Sequence, residues 1–268
     1  MTHTAIVTGA SSGIGQACAV RLARAGWRVF AGVRRDGDAP EGSEELLLDV
    51  TDAEQIRDAA ERVDELNGLV NNAGIALGSP LELVPVEQLR HQLEVNLVGQ
   101  VAVTQALLPA LRRAKGRIVF MGSIAGRSAL PFLAPYAASK HALEAVADSL
   151  RLELKPFGIP VSIVEPGSIR TAIWSRSAER ADELAATADA QKAELYGERV
   201  ASFRRVALKR GQGGAPADRV AEVVEEALTA ERPHARYLVG RDAKLRAGCE
   251  RLPDRLRDRI YERVLLKS

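Results

Sequence analysis

Residues Thr4–Gly15, TAIVTGASSGIG, constrain the fold more than any other stretch of the chain. Thr4–Thr8 is a short apolar run of strand-forming residues, and a glycine-rich turn follows it at once. After the turn, Ile14, Cys18 and Leu22 recur every four residues, which predicts a helix running to about Gly26. Strand, glycine turn and helix in that order place backbone N–H groups and a helix N-terminus opposite an anion, and the glycines let the backbone approach it closely. Gly9, Ser11, Ser12, Gly13, Ile14 and Gly15 are therefore candidates to hold the pyrophosphate of a dinucleotide. Their spacing is Gly-x-x-x-Gly-x-Gly rather than Gly-x-Gly-x-x-Gly.

The rest of the chain alternates apolar runs with helix-period stretches. Further strands are expected at Trp27–Val33, Glu45–Leu48, Gly68–Asn71, Arg117–Met121, Val161–Glu165 and Ala235–Val239. A helix after the third strand is expected to begin in a capping box, Thr51 with Glu54, and to bury Ile56, Ala60, Val63 and Leu66. One long helix is expected from Glu87 to about Arg113, with Asn96 in its interior, where asparagine is a poor helix former. Others are expected from the Tyr136 region to about Lys155, over Pro216–Ala230 and over Pro253–Leu266. Such alternation predicts a single α/β domain over 1–268, a Rossmann-type, doubly wound parallel sheet of about seven strands flanked by helices. Residues 172–214, rich in Ala, Glu and Arg with scattered apolar side chains, are read as a helical lid over a substrate.

Ligands of such sheets bind beyond the carboxyl ends of the strands. Val33 ends the second strand, where an acidic residue would take the ribose hydroxyls of NAD; Arg34 and Arg35 follow instead. A guanidinium there pairs with a 2′-phosphate, so NADP is favoured and NAD is the alternative.

Within Ser123–Lys140, SIAGRSALPFLAPYAASK, Tyr136 and Lys140 stand four residues apart, one turn above the other on one helix face. A free phenol titrates near pH 10. Lowering it by about three units takes roughly 4 kcal/mol. An exposed ion pair supplies only ~0–1 kcal/mol, so the pair needs a sheltered cleft and a second positive charge. Ser123 closes the apolar run RIVFMGS, which puts its hydroxyl at the mouth of the same cleft.

Composition excludes several other classes. Over 268 residues, 46% are hydrophobic and 27% charged, with a net charge of +2 and the basic residues scattered. That pattern carries no nucleic-acid stripe, and no apolar run reaches the ~18 residues of a membrane span. Two cysteines make no disulfide framework, and the four histidines lack metal-ligand spacing, so no metal is expected. The opening MTHTAIVTGA lacks a charged and apolar leader, which reads as a cytoplasmic chain.

Taken together, Thr8-Gly-Ala-Ser-Ser-Gly-Ile-Gly15, Asn71-Asn-Ala-Gly74, Asn96, Ser123, Tyr136-Ala-Ala-Ser-Lys140 and Pro166-Gly-Ser-Ile-Arg-Thr171 resemble the short-chain dehydrogenase/reductase family. The pattern is most similar to its 17β-hydroxysteroid and retinol dehydrogenase branch. The resemblance implies Tyr136 as general acid or base, Ser123 as a hydrogen-bond partner of the substrate oxygen, and Lys140 as the group that lowers the tyrosine and binds the nicotinamide ribose. Oxidised nicotinamide would be the second positive charge. Asn96 would hold a water that relays protons from Lys140. It further implies Asp49 and Val50 against the adenine, and Asn72, Ala73 and Gly74 along the nucleotide cleft. The segment carrying Pro166, Gly167, Ile169 and Thr171 would hold the carboxamide. The expected activity is interconversion of an alcohol and a carbonyl on an apolar, steroid-, retinoid- or lipid-like substrate. A 3-oxoacyl thioester reductase and a non-catalytic dinucleotide sensor are the alternatives. Family members commonly assemble as homodimers or homotetramers, which is the expectation here.

Overall fold

The computed structural model describes residues 2–187 and 190–265. Seven parallel strands form one sheet: β1 (Thr4–Thr8), β2 (Arg28–Val33), β3 (Glu44–Leu47), β4 (Gly68–Asn71), β5 (Arg117–Met121), β6 (Val161–Pro166) and β7 (Arg236–Val239), in the order β3-β2-β1-β4-β5-β6-β7. The strands are nearly continuous apolar runs because both faces are covered, and alternate residues feed two separate cores. Ala5, Val7, Ala31, Val70, Val119 and Val164 pack on one side against α1 (Gly13–Arg24) and α8 (Ala217–Thr229). Ile6, Phe30, Leu69, Ile118, Phe120 and Ile163 pack on the other against α2 (Ala53–Glu61), α4 (Gly99–Ala114) and α5 (Ala134–Glu153). Strand order turns back between β1 and β4, which makes a crevice at their carboxyl ends.

Two expectations are corrected, and one helix is added. Asp52, not Thr51, caps α2: its carboxylate accepts from Glu54 N at 2.9 Å and Gln55 N at 3.2 Å. The Thr51 hydroxyl is already given to Asp49 Oδ1 at 2.7 Å. The long helix from Glu87 is interrupted: α3 (Val86–Leu93) passes into a π-turn over Glu94–Val98 before α4 begins. A single wide turn of this kind commonly marks a functional site, and Asn96 lies inside it. Finally, a helix that the sequence did not reveal, α9 (Arg241–Cys249), follows β7. It buries only Ala243 and so carries no apolar stripe to announce it.

The expected lid region forms two packed helices, α6 (Ile173–Thr187) and α7 (Ala190–Gln212), joined across by Arg204 to Asp182 at 2.6 and 2.8 Å. Phe203 of α7 meets Phe132 edge to face, ring centroids 5.5 Å apart. The last helix, α10 (Asp254–Leu265), docks beside them, its Tyr261 hydroxyl 2.7 Å from Ser128 Oγ. Among the described residues no helix is long and apolar enough to cross a membrane.

Candidate active site

A cavity of about 470 Å³ runs along the carboxyl ends of β1, β2, β4, β5 and β6. At its centre the turn after β1 packs on the turn after β4. Asn72 Nδ2 donates to the carbonyls of Thr8 (2.9 Å) and Gly9 (3.1 Å), while the Thr8 hydroxyl accepts from the N–H groups of Asn72 and Ala73, both at 3.0 Å. Gly13 has φ +61°, a left-handed geometry that disfavours side chains. A Cβ on Gly15 would run into the Gly9 carbonyl and the Asn72 amide. At the head of α1, Ser12 makes no side-chain cap and the first turn has no acidic residue, so the leading N–H groups remain open to an anion. These features fit a dinucleotide pyrophosphate.

At one end of the cavity lie Arg34, Asp49 and Val50. Burial opposes ionisation of Asp49, but two hydrogen bonds from Thr51 and the charges of Arg34 and His91 hold its carboxyl below the usual range. At the other end are Ser123, Tyr136, Lys140, Pro166, Gly167, Ile169 and Thr171. Of the residues named from the sequence, Gly9, Ser11, Ser12, Gly13, Ile14, Asn72, Ala73 and Gly74 also line this cavity; Gly15 and Asn96 do not. Gly15 is buried behind the turn, and Asn96 acts from one layer back.

Asn96 is fully buried, and its amide is spent on protein groups: Oδ1 accepts from Ile75 N at 2.8 Å, and Nδ2 donates to Ile75 O at 2.9 Å and Ser139 Oγ at 3.0 Å. It is one member of a polar row spaced every four residues. Gln92 donates to Ile75 O at 2.6 Å and Gln100 to Ala73 O at 2.8 Å, while Thr104 Oγ1 accepts from Asn71 at 2.8 Å. This row clamps the segment from β4 that forms one wall of the cavity. Gln92, Gln100 and Thr104 were missed, although a polar residue every fourth position in an otherwise apolar stripe was a readable signal. Removing the clamp has a cost that can be measured. Asn96→Ala leaves the Ile75 N–H without its partner, about 1–3 kcal/mol of stability. A lower urea midpoint and weaker dinucleotide binding are expected together.

Tyr136 and Lys140 sit on the same face of α5, only 7% and 4% exposed. Burial pushes the Tyr136 phenol up, against a hydrogen bond with Ser123 and the charge of Arg246. Burial pulls Lys140 down to about 8, against the charge of Glu144. Lys140 Nζ donates to the Met121 carbonyl at 2.7 Å and lies 5.9 Å from the Tyr136 ring centre. In the protein by itself the ammonium is therefore anchored to β5, and the phenol stays protonated. Ser123 Oγ caps a short turn by accepting from Ala125 N at 3.1 Å, which fixes it at the mouth of the site. Trp174 of α6 closes the Tyr136 side, edge to face at 6.0 Å. Trp174 also lines a second, smaller chamber of about 190 Å³ between α6, α7 and the Gly78–Leu83 segment. Its walls are largely apolar, with Leu83, Phe132, Leu133, Val200 and Phe203 among them.

Fold and site together define a nicotinamide-dinucleotide oxidoreductase. The short chain dehydrogenase family model matches residues 3–182, and the chain belongs to that family. It is 36% identical to an NADPH-dependent 3-dehydrocapnine reductase of Ornithobacterium rhinotracheale, covering 98% of this chain and 97% of that one. It is 38% identical to mouse retinol dehydrogenase 16, covering 89% and 81%. A short-chain dehydrogenase from Burkholderia cenocepacia, solved in complex with NADP, superposes with a TM-score of 0.77 at 27% identity, covering 98% of both chains.

Proposed function

We propose that the chain is an NADP(H)-dependent oxidoreductase that interconverts an alcohol and a carbonyl on an apolar, lipid-like substrate. One observation carries this reading: the buried pair Tyr136 and Lys140 lines the nucleotide-sized cavity, and Trp174, edge to face on Tyr136, lines both that cavity and the apolar chamber. Bound nicotinamide supplies or accepts the hydride. Ser123 and Tyr136 hold the substrate oxygen from two sides and polarise it. Tyr136 gives that oxygen its proton in reduction and takes it back in oxidation. Lys140, tied to the Met121 carbonyl, keeps a positive charge near the Tyr136 ring and would hold the ribose hydroxyls of a bound cofactor.

NADP as the cofactor is supported by Arg34 at the end of the cavity, by the NADPH-dependent relative, and by the related structure that holds NADP. The test is consumption of NADPH against NADH with aliphatic ketones, together with titration of both cofactors. Arg34→Glu should weaken NADPH binding about 10- to 100-fold, the worth of one charge-assisted hydrogen bond, and leave NADH binding nearly unmoved. Equal losses for both cofactors would remove Arg34 from the 2′-phosphate site. Failure of every ketone and alcohol with either cofactor would sink the function.

A further inference from the structure

Tyr136, Lys140 and Glu144 occupy successive turns of one face of α5. Beneath Lys140, Glu144 meets Glu165 of β6, which is fully buried. One oxygen of each carboxyl is taken by arginine. Arg236 Nε of β7 lies 3.0 Å from Glu144 Oε2 and 3.6 Å from Glu165 Oε1. Arg127, from the turn after β5, lies 2.8 Å from Glu165 Oε1. The other two oxygens, Glu144 Oε1 and Glu165 Oε2, are shut off from solvent and have no hydrogen-bond donor within reach. Two buried acceptors of this kind are costly, and two carboxylates in contact cannot both ionise cheaply. A single proton held between the carboxyls satisfies both oxygens at once. The charged groups around the pair are Lys140 and Asp148 on α5, Arg127, and Arg236, which also binds Asp148 at 2.6 Å.

We propose that Glu144 and Glu165 share one proton, and that Glu144 is a positioning residue for Lys140: as the pH rises it gives up that proton, and a new negative charge appears one turn below the ammonium. The second half of this proposal rests on the reading of Tyr136 and Lys140 given above. Burial first, then the charge and hydrogen bond of Glu165, push the Glu144 carboxyl well up, while Lys140 is pulled down to about 8. The sign follows from linkage. A Glu144 that ionises while Lys140 is still charged holds the lysine proton on, so the charged lysine survives to higher pH than burial alone would allow.

Glu144→Gln replaces the shared proton with an amide donor to Glu165 and removes the ionisation. In the pH profile of kcat/KM the alkaline limb should then move down by about one to two units, the effect of a unit charge at the general i,i+4 helix spacing of about 6 Å and an effective dielectric of roughly 20 to 40. The loss is confined to the alkaline side. Infrared difference spectra of wild type minus Glu144→Gln, taken on the NADPH complex at neutral pH, should show the carbonyl stretch of a protonated carboxylic acid. Absence of that band overturns the shared proton. A band accompanied by an unmoved alkaline limb overturns the coupling to Lys140, as does a loss of equal size at every pH. Because the infrared band requires no turnover, an active Tyr136→Phe enzyme would sink the reading of the site and leave the shared proton standing.

Discussion

Tyr136→Phe is expected to lower kcat about 100- to 10,000-fold, the usual worth of a positioned general acid or base, while the dissociation constant for NADPH should stay within about twofold. The two effects separate because the substitution removes one oxygen and no packing. The ring stands edge to face on Trp174 and packs on Ala76 and Ala125, contacts that a phenylalanine ring keeps. The pyrophosphate cradle at Gly9–Gly15 and the Arg34 end of the cavity are built from other strands and are not disturbed. Burial holds the phenol above its ordinary pKa, so at neutral pH it carries the proton that carbonyl reduction requires. Steady-state turnover in the reductive direction and a fluorescence titration with NADPH decide the matter. Unchanged turnover would transfer the proton-donor role to another group, and a matching loss of cofactor affinity would make Tyr136 a binding residue instead.

Which parts of this arrangement could be read beforehand follows from how each is encoded. The strands were legible because a parallel sheet covered on both faces needs unbroken apolar runs, and Gly68–Asn71 and Arg117–Met121 fall where those runs lie. Tyr136 and Lys140 were legible because four-residue spacing puts both on one helix face and because the glycine turn, Asn71–Gly74, Asn96 and Ser123 precede them in the order of the short-chain dehydrogenase pattern. The partner of Lys140 was not, because the Met121 carbonyl is a main-chain group that no side-chain pattern reveals. Asp52 displaced Thr51 as a cap because two adjacent capping residues compete, and Asp49 had already engaged the threonine hydroxyl. Asn96 stood out as a poor helix former, but a π-turn is a response to tertiary hydrogen bonds with Ile75 and Ser139 that propensity does not contain. Likewise, Glu144 and Glu165 read separately as a helix residue and a strand end. Their contact exists only once β6 lies under α5.

If the substrate enters the apolar chamber behind Trp174, as proposed above, chain length is the variable that governs substrate choice. For unbranched methyl ketones from butan-2-one upward, kcat/KM should rise about fourfold per methylene, the partition value of ~0.8 kcal/mol, and level off when the chamber is full. A cavity of about 190 Å³ has the volume of roughly six waters at ~30 Å³ each, so the plateau should fall after a similar number of added methylenes. Trp174 lines both spaces, so on the proposed reading a flexible tail would bend past the indole more easily than a rigid fused-ring slab, with its carbonyl left beside Ser123 and Tyr136. Ala181, seven residues beyond Trp174 on α6, lines the chamber well away from the reacting groups. Ala181→Trp fills that space, so the plateau should move to shorter ketones and the longest ones lose about 100-fold or more, with a far smaller loss for butan-2-one. A rate that ignores chain length in the wild type, or a variant whose slope and plateau match it, would mean that the substrate does not enter this chamber and that selection occurs on the nucleotide side of Trp174.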